Sequence, residues 1–393
     1  MLALCANRLS WIVCLGSTAQ PHAATFSAAA RSQPSLMRIP PESLTPEMQK
    51  KREERARKRT LAKTPEASAA AAAAAQAEAE ARQRQRRQRD ESDVEALRQW
   101  AVRDSAGNVC ELVDIGANLV MVNSENLAGQ LARCAVAGVS RILVTGTSVT
   151  GSERALELVR RSSEMQPGVR LFCTAGVHPH DASTCDGRTI EALRSLARNS
   201  ECVAIGECGL DYDRMFSRRE VQLEWFERQA RLAAELDMPL FVHERDLEAD
   251  KGAPLGSADD LIRILSSAGV RPERVCVHCF TGSHEVLAEY VECGYHIGLT
   301  GFVAMRERGA HVRQAIASGL LPLSRVLTET DSPFMKPDKT FLPDVKSLQR
   351  GQNEPCNVPA VARALAELYD LPVEQVAKQT TANACEFFRL TRR

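Results

Sequence analysis

Four side chains able to hold a cation stand where short apolar runs give way to loops. Glu207 follows Cys202 to Ile205 and Gly206, His243 follows Pro239 to Val242, His278 follows Val275 to Val277, and Asp331 comes shortly after Val326 to Thr328. A carboxylate at such a junction is rarely a packing residue; a lone imidazole there is more often structural, but several strands sharing the placement point to chemistry. One Glu, two His and one Asp give the mixed nitrogen and oxygen donor set of a divalent-metal site. More polar residues share this placement: Asp114, Gly116 and Asn118 after the first run, His178 and His180 after the third, Arg245 after the fifth, and Glu329 beside Asp331.

Side chains so far apart in sequence need a scaffold that delivers strand ends to one place. From Glu111 onward, apolar runs alternate with longer segments of helical spacing. The runs are 112–115, 141–145, 171–177, 202–205, 239–242, 275–277, 295–299 and 326–328. Gln222, Trp225, Phe226, Gln229, Leu232 and Leu236, three or four residues apart, exemplify the helical segments. Eight strand–helix repeats predict an α/β fold, a closed (β/α)8 TIM barrel whose reactive groups gather at the carboxyl ends of its strands. An open doubly wound sheet is the alternative, weakened in its dinucleotide-binding form because no GxGxxG opens the first helix.

Composition bounds the function. No apolar run approaches the roughly 20 residues needed to span a bilayer, so no membrane segment is expected. The thirteen cysteines are scattered and odd in number, the pattern of free thiols in a reducing compartment. Cys276 and Cys279 form a lone CxxC, read as strand packing around His278. Residues 1–95 carry 16 Lys and Arg against 11 Asp and Glu, so the rest of this neutral chain has an acidic surplus. That argues against a broad basic face for duplex DNA.

The amino-terminal part reads differently. Residues 1–41 lack Asp and Glu, contain Arg8, Arg31 and Arg38, and are rich in Ser and Ala, as in an organellar transit peptide; an extension without function is the other reading. Residues 46–95 are Ala, Gln, Arg, Lys and Glu with no apolar stripe to bury, a solvated helix or disordered linker. The expected division is therefore 1–45 transit peptide or extension, 46–108 charged linker, and 109–393 catalytic barrel. The expected location is intracellular: mitochondrial or cytoplasmic, with the nucleus as an alternative.

Several blocks carry a family resemblance. Asp-Ile-Gly-Ala-Asn-Leu at 114–119, Thr-Ala-Gly-Val-His-Pro-His-Asp at 174–181, Ala-Ile-Gly-Glu-Cys-Gly-Leu-Asp-Tyr at 204–212, His-Cys-Phe-Thr-Gly at 278–282, Glu-Thr-Asp-Ser-Pro-Phe at 329–334 and Asn-Glu-Pro at 353–355 resemble signatures of the TatD family. These are metal-dependent deoxyribonucleases with a TIM-barrel fold, related to amidohydrolases. The resemblance covers about residues 110–390. It implies Glu207 as a bridging ligand with His243, His278 and Asp331. Many relatives carry His-x-His at the end of the first strand; here Gly116 and Asn118 stand there, as in the TatD branch proper. Glycine has nothing to coordinate with, and an amide is a poor ligand, so one of two metal positions should be weaker.

The implied reaction is hydrolysis of DNA phosphodiesters by a metal-activated water, as a 3′–5′ exonuclease on single strands or frayed ends. The ion is Mg²⁺ by preference, with Mn²⁺ or Zn²⁺ as alternatives, at one or two positions. Asp331 is the general-base candidate. His178 and His180 contact the scissile phosphate, or one of them holds a neighbouring carboxylate. Arg245 binds phosphate as a planar fork or pairs with Glu244 or Asp246. Asn118 and Glu329 are placed with substrate binding, and Phe280 and Phe334 stack on an unpaired base or pack in the core. Two other classes remain: an amidohydrolase-like enzyme acting on a small amide or ester, and a binding protein that has lost catalysis.

Overall fold

The computed structural model describes residues 45–61, 76, 91–162, 168–247 and 252–390. Of the expected transit segment 1–45, residues 1–44 lie outside them. Two compact units divide the chain near residue 80. In the first, Pro46–Leu61 is a helix rich in charged residues, exposed at 46–51, 53 and 54, with an i,i+4 ion pair between Lys51 and Glu47. No helix among the described residues is long and apolar enough to cross a membrane.

In the second unit, eight parallel strands pair in sequence order: β1 Leu112–Ala117, β2 Val139–Val144, β3 Arg170–Ala175, β4 Cys202–Asp211, β5 Leu240–Arg245, β6 Val275–Val277, β7 His296–Leu299 and β8 Val326–Thr328. The ring is drawn together between β8 and β1 by the Ala117–Ser332 bridge and by Asp331 N–H donating to the Gly116 carbonyl at 2.8 Å. Helices follow the strands and cover the outside, which leaves strands such as β1 buried on both faces. This is the expected TIM barrel.

Period-2 alternation sorts the side chains. Val113, Ile115, Leu143, Phe172, Ala204, Phe241, Cys276 and Leu327 fill the barrel, and Phe387, Phe388 and Leu390 from the chain's end join that interior cluster. Their neighbours Leu112, Ile205, Leu240 and Val242 face the helices. Packing on the barrel unit begins before residue 109, since Leu97 and Val102 are buried in the outer core and Arg363 donates to the Trp100 carbonyl.

Strand β4 departs from expectation in a way that creates the site. Apolar character fades at Gly206, yet the strand runs on to Asp211. Its register against β5 slips there: Gly206 pairs with Phe241, Cys208 with Val242, and Glu207 is the extra residue. Such a bulge reverses which later residues face inward. Cys208 and Leu210 consequently join the outer core, and Asp211 falls opposite Arg245 on the inward side. Gly206 and Gly209 both take positive φ, and a Cβ on either would strike β5 backbone, at the Phe241 and His243 carbonyls respectively.

Candidate active site at the barrel mouth

Three imidazole nitrogens converge on a single oxygen. Glu207 Oε1 lies 2.9 Å from His278 Nε2, 3.1 Å from His243 Nδ1 and 3.1 Å from His178 Nε2. His178 follows β3, Glu207 is the bulged residue within β4, His243 lies in the last part of β5 and His278 follows β6, and all four are almost wholly buried. Burial raises the Glu207 carboxyl, but the imidazoles of His178, His278 and His243 outweigh it and hold the group well below the usual carboxylate range. His278 is raised well above its ordinary value: burial opposes the charge, and Glu207 with Glu329 more than compensates. His243 rises similarly between Asp211 and Glu207.

A second ring of groups aims these side chains. Asp211 Oδ2 meets His243 Nε2 at 3.2 Å and His180 Nε2 at 2.8 Å. Glu329 Oε2 meets His278 Nδ1 at 3.4 Å, and Glu329 Oε1 accepts from the Cys279 backbone N–H at 2.5 Å. Holding the far nitrogen of a histidine on a carboxylate fixes its ring and leaves the near nitrogen for a cation. Glu329 is fully buried, and its room is made by glycines: a Cβ on Gly116 would collide with Oε2, and one on Gly298 would lie 2.6 Å from Oε1. The missing first-strand histidine thus has a local cause, because Glu329 occupies that space.

His178 belongs to the same cluster by distance: it, Glu207 and His243 offer donor atoms within 4.8 Å of one another. Its hydrogen bonding argues for another role. His178 Nδ1 accepts the His180 backbone N–H at 3.1 Å, so the neutral ring carries its proton on Nε2 and is a donor there rather than a ligand. Burial lowers its pKa to about 4, which keeps it neutral near pH 7.

Asp331 closes the mouth from the β8 side. Asn118 Nδ2 donates to Oδ1 at 3.0 Å, and the Cys279 thiol lies 3.6 Å from Oδ2. Burial pushes Asp331 up to about 7, helped by Glu207 and Glu329, while His278 and Asn118 pull the other way. Buried Glu207, Asp211 and Glu329 and part-buried Asp331, set against few fixed cations, suit a divalent ion, for which Glu207, His243, His278 and Asp331 are the candidate ligands.

Two expected placements are corrected. Phe280 is 2% exposed, with its ring 6.1 Å from Tyr290 in the outer core, so it cannot stack on a base. Glu329 lies beneath His278 and cannot touch substrate; it orients that ring. Arg245 approaches Asp211 at 3.8 Å rather than Glu244 or Asp246. Asp246 accepts from the backbone N–H groups of Leu247, Leu255, Gly256 and Ser257 and shapes its own loop. Phe334 is exposed beside the mouth. The part played by Asp211 was hidden by the bulge, although its position four residues after Glu207 was visible. Phe216, in the loop after β4, had no signal beyond being an aromatic residue in a loop.

The family profile described as TatD related DNase matches residues 113–389. A "3′-5′ ssDNA/RNA exonuclease TatD" from Erwinia billingiae is 38% identical over 280 residues, covering 71% of this chain and 99% of the relative. The protein of that name from Escherichia coli is 35% identical over 279 residues, 70% of this chain and 98% of the relative. The crystal structure of YJJV, a TatD homolog from Escherichia coli, superposes with TM-score 0.60 at 27% identity, over 72% of this chain and 99% of that one. A family match over most of the chain, with near-complete coverage of these relatives, places the protein in the TatD-related DNase family.

Proposed function

We propose that this protein is a metal-dependent nuclease that removes nucleotides from the 3′ end of single-stranded DNA by hydrolysing phosphodiesters. The observation that carries the reading is the convergence of His178, His243 and His278 on Glu207 Oε1 at the mouth of the barrel. The names of the relatives, which specify single-stranded DNA and RNA, support the substrate class.

Glu207, His243, His278 and Asp331 would hold the cation, with Mg²⁺ preferred over Mn²⁺ or Zn²⁺. When bound, it supplies Lewis acidity that offsets phosphate charge and makes water acidic enough to react near neutral pH. The chain's own groups do the rest. Asp331, held at the mouth by Asn118, takes the proton of the attacking water. The water oxygen adds to phosphorus, the P–O ester bond breaks, and the leaving oxygen gains a proton. His178 Nε2–H donates to a non-bridging phosphate oxygen, and Arg245 at the end of β5 offers its guanidinium to the same group. His180 is held by Asp211 and steadies that carboxylate, which in turn fixes His243. Asn118 positions Asp331.

The composition of residues 1–41 supports a mitochondrial address, with cytoplasm or nucleus as alternatives, and microscopy of a full-length fusion beside one starting at residue 46 tests it. The test of function uses 3′- and 5′-labelled single strands with and without chelator. A ladder growing from the 3′ end that vanishes with chelator is expected. Intact strands would overturn the reading, whether or not small amides or esters are hydrolysed.

A further inference from the structure

Phe216 lies in the loop between β4 and the helix Arg219–Leu236, and at 70% exposure it is the most exposed large apolar side chain among the described residues. A single exposed apolar group is ordinary on a protein surface. Its mounting is not. The ring meets His180 in an edge contact, with centroids 4.7 Å apart and planes at 79°. His180 is the residue whose Nε2 rests on Asp211, the carboxylate that also holds His243.

Buried side chains tie down the backbone on both sides of Phe216. Before it, Asp211 Oδ1 accepts the Asp213 and Arg214 backbone N–H groups at 3.1 and 2.8 Å. Gln222, 1% exposed, donates to the carbonyls of Asp211 and Ser217 at 3.0 and 2.8 Å and so clamps the loop's two ends together. After it, Ser217 Oγ donates to the His180 carbonyl at 2.9 Å and accepts from Ser183 N–H at 3.0 Å. The loop is thereby fixed to both β4 and the segment after β3. An aromatic ring held open to solvent by an ordered loop has already lost the freedom that binding would otherwise take from it.

We infer that Phe216 is a stacking platform for the unpaired base of the nucleotide whose phosphate is being cut. This rests on the nuclease reading above and adds the group that engages the base. A ring against His180 stands beside the groups assigned to the phosphate, as a base stands beside its own phosphate. Every base offers a π-face, so such a platform tolerates any sequence. A base inside a duplex is already stacked on both sides, so the platform also favours single strands. Phe334, at 52% exposure after β8, also sits in a clamped loop, where the buried Asn353 side chain donates to the Thr330, Phe334 and Met335 carbonyls, but no histidine ring lies against it among the described residues.

The experiment compares two single-stranded oligonucleotides, one with natural 3′-terminal residues and one with abasic residues there, cleaved by wild type, Phe216→Ala and Phe216→Trp. Phe216→Ala should raise KM on the natural strand about tenfold, the scale of one lost base stack, with kcat nearly unchanged. Phe216→Trp should restore wild-type KM. On the abasic strand, wild type should already show the raised KM, and the alanine variant should lose nothing more. An equal loss on both strands would mean that Phe216 acts only by supporting His180, and no loss on either would mean it touches nothing; each overturns the platform. A wild-type protein that leaves both strands intact defeats the nuclease reading instead, and the platform with it. The ring is exposed, so the variants should keep the wild-type melting temperature, which is checked alongside.

Discussion

The two sides of the barrel mouth treat the same chemical group in opposite ways. On the β3–β6 side, Glu207 is buried among imidazoles and held well below the carboxylate range. On the β8–β1 side, Asp331 is only part-buried, has an amide and a thiol for partners, and is pushed up to about 7. Burial penalises both charges; what differs is who answers it. Imidazole N–H groups satisfy Glu207 before any ion arrives, whereas Asp331 needs an added positive charge to ionise fully. The contrast assigns the two sides different tasks: the first anchors a cation, and the second responds to it by becoming a base.

The sharpest way to break this division is to remove one acid from each side. Glu207→Ala should abolish tight cation binding and reduce cleavage at least about a hundredfold, since it withdraws the atom on which three histidines converge. Asp331→Asn should also cut kcat by about a hundredfold or more, the scale of a lost general base, while weakening cation binding far less than Glu207→Ala does. Calorimetry with Mn²⁺ separates the two variants. Equal loss of cation binding in both would erase the distinction.

The next effect concerns orientation. Glu329→Gln keeps the volume but puts an amide where His278 and the Cys279 N–H find carboxylate oxygens. A fall in cation affinity of about 10- to 100-fold is expected for such a supporting group, read by the same titration.

The pH dependence follows from the raised groups. In the metal-free chain, Asp331 keeps its proton up to about 7, and His278 keeps its own above the ordinary imidazole value. A cation entering below that pH must displace those protons, so its affinity falls as pH falls and levels off once they have left. The slope is about tenfold per pH unit for each proton released. Affinity unchanged between pH 6 and 8 would contradict the assignment of Asp331 as a protonated acid.

The smallest effect is expected behind the site. Phe280→Leu should lower stability by about 1 kcal/mol, as a tolerated apolar exchange does in a packed core, and leave KM for an oligonucleotide unchanged. A raised KM would return Phe280 to the substrate site from which its burial removes it.

How much of this was legible in sequence depends on which rule governed each residue. The barrel was readable because eight apolar runs alternate with helical spacing, and His278 was placed correctly because β6 ends at Val277 as its apolar run does. Glu207 was found as a candidate but for an incomplete reason. Its strand does not end there, and a bulge that reverses inward and outward positions leaves no mark in a hydropathy pattern. The same bulge concealed Asp211 as the partner of both His180 and His243. Glu329 and Phe280 were misplaced because a strand-end position specifies the neighbourhood of a side chain, not whether it points into the mouth or beneath it.

The central claim is that one cation is held by Glu207, His243, His278 and Asp331. Anomalous diffraction from crystals soaked in Mn²⁺ tests it most directly. The account predicts a peak within about 2.0–2.3 Å of donor atoms from Glu207, His243, His278 and Asp331, distances ordinary for nitrogen and oxygen ligands. A peak elsewhere, or none at Mn²⁺ concentrations that support cleavage, would contradict it.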